Sequence, residues 1–148
     1  MNKKGFTLIE LLAVLAIISI LATMGFYSIR GTLKTSHEKM LETKLKSVRE
    51  AAIVYGQEKQ NDSSVLNFRE GCSMKVNGEN IQRDNCTRVT IQELIDDGYF
   101  ETEETDEAGN KIVKNDVTGG TLNNENVWIY KKNNRLYAET EYKVRNQN

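Results

Sequence analysis

Proline is absent from the 148 residues, so no element is interrupted by a ring that removes a backbone donor, and turns fall to Gly, Asn and Asp. Histidine occurs once, at His37, and cysteine twice, at Cys72 and Cys86. Zinc needs three or four ligands, and no ligand set stands near His37, which therefore reads as an exposed helix residue. No nucleophile, base and orienting acid can be assembled from the chain. The expectation is a non-enzyme with no catalytic residue, no metal and no cofactor. A formal net charge of -1 also excludes a strong global field for nucleic acid. The balance hides an asymmetry: residues 1–60 carry nine Lys/Arg against five Asp/Glu, and residues 61–148 carry eleven against sixteen.

Charge is nearly missing from one long stretch. Between Phe6 and Ile29 the only charged side chain is Glu10, and Arg30 ends the run. As a helix it is long enough to span a bilayer of about 30 Å. Lys3 and Lys4 precede it, which favours a cytoplasmic N-terminus and places the rest of the chain outside the membrane. There the two cysteines read as one disulfide closing a short loop, worth roughly 3 kcal/mol in the chain-entropy model. In a reducing compartment they would be two free thiols. An ordinary secretory signal with a small-residue site near Ala22 is the plainer alternative, but the run is longer than such cores and contains an acid. A charged side chain at mid-bilayer costs roughly 2.5 to 3.5 kcal/mol, so Glu10 needs a reason.

The stretch KKGFTLIELLAVLAIISILA resembles the class III signal of type IV prepilins and of the pseudopilins of type II secretion and DNA-uptake systems. Leader residues Lys3 and Lys4, then Gly5, Phe6 and Glu10, fit that pattern position by position. The resemblance implies that a prepilin peptidase cuts between Gly5 and Phe6, that the new amine of Phe6 is N-methylated, and that Glu10 pairs with the N-terminal amine of a neighbouring subunit. A buried charge without a partner is what lipid penalises, and assembly supplies the partner. One departure stands out: many major pilins have a proline at the position of Tyr27, and Gly25 is the residue that can loosen the helix here, Gly costing about 1 kcal/mol against Ala.

Past Arg30, apolar residues recur at Leu41, Leu45, Val48, Ala52 and Tyr55, the three-and-four spacing of an amphipathic helix. Glu42 and Lys46 are set for an i, i+4 pair, and Gly56 is the expected stop. A helix from Phe6 to Tyr55 spans roughly 75 Å at 1.5 Å per residue. No domain made from the remaining residues covers that length, so a stalked shape suited to lateral packing is expected. The divisions are a leader, 1–5; a transmembrane or filament-core helix, 6–29; an amphipathic continuation, 30–56; and an α+β domain, 57–148.

Within that domain, Asn77-Gly78 is a two-residue hairpin turn between the cysteines. Thr90 and Glu93 form a capping box for a short helix buried through Ile91, Leu94 and Ile95 and ended by Gly98. YFETEETDEAGNKIVK suggests two short strands around an acidic turn, and DVTGGTLNNEN a flexible loop. Val127, Ile129, Leu136 and Ala138 mark an antiparallel pair turned at Asn133-Asn134. The fold expected is α+β, a spine helix on a small C-terminal antiparallel sheet, similar to the pilin fold.

The acidic run with Asp116 resembles the calcium-binding C-terminal loops of some pseudopilins, though a solvated turn is the favoured reading. Lys131, Lys132, Arg135, Lys143 and Arg145 beside Trp128, Tyr130, Tyr137 and Tyr142 suggest a DNA contact, opposed by the excess of acids in this part of the chain. The leading expectation is a structural subunit of a type IV pilus or pseudopilus, serving adhesion, motility, secretion or DNA uptake. It would be a single-pass protein of the cytoplasmic membrane that becomes extracellular on assembly. Its partners would be copies of itself or a mixed pilin filament, the prepilin peptidase and the membrane assembly machinery. The alternative is a monomeric, membrane-anchored extracytoplasmic binding protein.

Overall fold

A computed structural model describes residues 7–62, 65–142 and 144. Its elements run α1 (Leu8–Lys59), β1 (Cys72–Val76), β2 (Glu79–Arg83), β3 (Cys86–Thr90), α2 (Ile91–Asp96), β4 (Asn126–Lys132) and β5 (Arg135–Thr140). Two compact units divide between His37 and Glu38.

The first unit contributes the opening part of α1. Its apolar side chains stand in solvent at every angle around the axis, from Leu8 at 78 % and Ile9 at 76 % to Leu21 at 63 %. Among the described residues no helix is long and apolar enough to cross a membrane. The span expected over residues 6–29 includes Phe6, which lies outside the described residues.

In the second unit, α1 packs against an antiparallel sheet ordered β3-β4-β5. All five residues of the anticipated stripe, Leu41, Leu45, Val48, Ala52 and Tyr55, are buried. They meet Val89, Leu94, Val127, Ile129 and Ala138 in one core. Period-two alternation sends Val127 and Ile129 of β4 towards the helix and Trp128 and Tyr130 to the opposite face. That opposite face is covered as well: Met74, Val76 and Ile81 of the β1-β2 hairpin form a second cluster with Cys86, Trp128 and Tyr130. β4 is thus buried on both sides, as a central strand should be.

The turns form as the residue types require. Asn77 and Gly78 have φ of 53° and 83°, and Asn133 and Asn134 of 50° and 59°, the left-handed pairs that suit a two-residue hairpin. The α2 capping box is complete, with the Thr90 hydroxyl accepting from the Glu93 N–H and the Glu93 carboxylate accepting from the Thr90 N–H. At the other end Gly98, at φ 77°, donates to Ile95 O at 3.1 Å while Tyr99 N–H reaches Leu94 O at 2.9 Å. This is the Schellman arrangement.

Four details differ from the sequence expectation. Helix α1 continues through Gly56 to Lys59. Gly56 serves contact: a Cβ there would lie 3.0 Å from Ile129 Cγ2 and 3.3 Å from Leu136 Cδ1. Lys46 reaches forward to Glu50 at 3.9 Å, where a pair with Glu42 had been expected. The segment YFETEETDEAGNKIVK makes only an isolated Thr105–Lys111 bridge, and Lys114 bridges to Thr121. Asp106 closes a tight loop there, its carboxylate accepting from the N–H groups of Ala108 (2.9 Å) and Asn110 (2.8 Å) and from the Asn110 amide (2.9 Å). Lastly, DVTGGTLNNEN is anchored, with Leu122 and Asn123 both buried.

Candidate assembly site

Glu10 sits in the first turn of α1 and is exposed. Its N–H donates to Thr7 O at 3.1 Å and lies 3.4 Å from Thr7 Oγ1. The Thr7-x-x-Glu10 spacing is that of a helix start, a signal present in the sequence itself. An acid at this position also complements the N-terminal end of the helix dipole, an interaction of about 0.3–1 kcal/mol at an exposed site. The carboxylate is therefore tolerable near a helix end, yet among the described residues it forms no ion pair. Phe6 and Gly5, the expected amine and cleavage residues, lie outside the described residues.

Around Glu10 the helix surface is apolar on all sides. Leu11, Leu12, Leu15, Ile17 and Ile18 each keep more than half of their area exposed. A helix hydrophobic all round belongs in a membrane or in the middle of a larger assembly. Exposed apolar area of this extent marks an interaction surface.

The remaining candidates resolve differently. His37 is exposed on α1. Among the described residues no group of three or more His, Cys, Asp or Glu is placed to hold a metal ion. The acidic loop instead converges on a lysine: Lys44 Nζ lies 2.6 Å from Glu104 Oε1 and 2.9 Å from Asp116 Oδ2. Glu104 spends its other oxygen on the Lys114 N–H at 2.8 Å. Burial pulls the Lys44 ammonium down, but its hydrogen bonds to Glu104 and Asp116 and their charges outweigh this and leave its pKa raised. Sequence spacing could not reveal the trio, whose members are 60 and 72 residues from Lys44. Asp106 is held below the usual carboxylate range by the Asn110 side chain and by backbone N–H donors.

Cys72 and Cys86 are joined, with Cα atoms 6.1 Å apart, a separation ordinary for a disulfide. The basic and aromatic cluster is divided by the sheet. Tyr130 is buried, stacked on Tyr137 at 5.6 Å, with the Arg83 guanidinium 5.2 Å from its ring centre. Lys131, Lys132 and Arg135 are exposed around the β4-β5 turn. Lys143 and Arg145 lie outside the described residues.

Comparison with known families adds the deciding observation. Residues 1–26 carry the prokaryotic N-terminal methylation motif. This is the class III prepilin signal of type IV pilins and pseudopilins. The prepilin signal contains Gly5, Phe6 and Glu10 and ends within α1. It supports a processed, pilin-like or pseudopilin-like subunit and points to a structural role rather than an enzyme. No curated protein and no solved structure matches the chain.

Proposed function

We propose that the chain is a structural subunit of a type IV pilus or pseudopilus. The observation that carries this reading is the prepilin signal at residues 1–26 running into a helix whose apolar side chains are exposed on every side. In this reading the prepilin peptidase cuts after Gly5, Phe6 becomes the methylated N-terminus, and the helix over residues 6–29 holds the subunit in the membrane before assembly. Polymerisation then buries the Leu8–Leu21 surface against other copies or other pilins. Glu10 takes the amine of a neighbouring Phe6 as its partner, which turns an unpaired acid into a register device. The domain after Glu38 stays outside the membrane, where the Cys72–Cys86 disulfide persists.

The test is to shear filaments from cells expressing the protein and to determine the mass of its N-terminal peptide. A peptide starting at methylated Phe6 in the sheared fraction supports both processing and assembly. An intact Met1 leader, or a start beyond Ala22, overturns the reading in favour of a tether or a conventional signal. Glu10→Leu separates the cases further: a filament subunit loses assembly, whereas a tethered monomer inserts as well or better.

A further inference from the structure

The second unit carries a groove of its own. It has a volume of about 500 Å³ and lies between the segment before β1, the start of β1, and the face of β3 and β4 turned away from the helix. The volume is that of a small-ligand site. Its walls are fixed from two directions. The Cys72–Cys86 disulfide ties β1 to β3, and Arg69 and Cys86 exchange backbone hydrogen bonds of 2.9 and 3.1 Å.

The lining has a consistent chemistry. Arg69 and Arg88 supply two guanidinium groups, Asn67 and Ser73 supply neutral hydrogen-bonding groups, and Trp128 supplies an indole; among the described residues no carboxylate lines the groove. Arg88 and Trp128 are register partners across β3 and β4, so their side chains stand side by side on one face. Both arginines are exposed, and among the described residues neither forms an ion pair. Unpaired guanidinium groups are fork-shaped donors suited to carboxylate or phosphate. A ring with an apolar face fits the indole, and hydroxyl groups fit the neutral polar side chains. Residues 38–148 hold sixteen Lys/Arg against twenty Asp/Glu. A long polyanion is repelled by that excess, whereas a short acidic ligand can sit on the Arg88 side of Trp128, away from Glu139, its register partner on β5.

We infer that this groove binds an acidic saccharide, its charged group on Arg69 and Arg88 and its ring beside Trp128. Trp128 is the only tryptophan in the chain, so its fluorescence reports the groove directly. The full-length protein in detergent would be titrated with oligogalacturonate, with neutral maltohexaose, with inorganic phosphate and with duplex DNA. The expected result is a saturable fluorescence change with oligogalacturonate, weakened at least tenfold in Arg88→Gln and in Arg69→Gln and unaltered in Arg135→Gln. Both groove arginines are exposed, so folding of the variants is expected to be intact, and circular dichroism checks it. No saturable change overturns the inference, as does an equal response to maltohexaose or one that survives both substitutions. A full response to phosphate alone, or to DNA in preference to the saccharide, also overturns it, by showing a small-anion site or a nucleic-acid surface.

Discussion

Replacing Lys44 with methionine should unfasten the loops between α2 and β4 from the helix. Lys44 keeps 23 % of its side chain exposed, Glu104 35 % and Asp116 13 %. Breaking a fully buried pair costs about 3–5 kcal/mol, and breaking a surface pair about 0–1 kcal/mol. This site is intermediate, with Asp116 the most enclosed partner, so a loss of about 2 kcal/mol is expected. For a unit of this size that lowers the melting temperature by roughly 6–12 °C. Urea unfolding followed by Trp128 fluorescence measures the loss, and a double-mutant cycle with Asp116→Asn isolates the pairwise part. A loss within about 0.5 kcal/mol, the range of an ordinary surface change, together with no coupling to Asp116, would refute the reasoning.

The same trio makes an alkaline prediction. The folded-state pKa of Lys44 is raised above its ordinary value of 10.5, so its contribution is fully present below that value. It is lost as pH rises through the higher folded-state value. Wild type should therefore lose stability above about pH 10.5 in a step that Lys44→Met lacks.

Three further substitutions test the packing. Gly56→Val should destabilise by about 1–3 kcal/mol through overpacking, because Ile129 Cγ2 already lies 3.0 Å from where a Cβ would be; an unchanged urea midpoint would show that the sheet yields freely. Asn123→Ala removes a side chain that accepts from Val113 N–H (2.8 Å) and donates to Gln92 Oε1 (2.6 Å) and Lys111 O (2.9 Å). Stranding those partners should cost roughly 3 kcal/mol, with hydrogen exchange accelerating at Val113, and a cost below about 1 kcal/mol would mean that water replaces the amide. Cys72→Ser with Cys86→Ser should cost about 3 kcal/mol, and adding reductant should lower the stability of wild type alone.

What could be read from the sequence was what neighbours in sequence determine. The stripe from Leu41 to Tyr55, the Thr90–Glu93 box and the two Asn-initiated turns each depend on residues within a few positions. Each is formed as expected. The prepilin signal is equally local, its named residues Lys3, Gly5, Phe6 and Glu10 falling within the matched segment. Gly56 departs from its local signal for the complementary reason. A glycine near a helix end is a stop by local logic, but the residues that need its missing side chain, Ile129 and Leu136, come more than seventy positions later.

Residues 101–125 show how the local rules fail. Their composition, rich in acids, Gly and Asn, is that of a solvated loop, and they contain few apolar residues able to build a core. Their order comes from two apolar anchors, Val113 and Leu122, buried in the main core, and from a small number of polar contacts: Lys44 to Glu104 and Asp116, and Asn123 to Gln92 and to the backbone of Lys111 and Val113. Buried amides and paired charges give no periodic signal, because each partner is chosen by where the chain returns in space. Such contacts are worth less per residue than apolar burial, yet costly to leave half-made. The segment should therefore be ordered only while the set is complete, and loss of either Lys44 or Asn123 should loosen all of it rather than one turn.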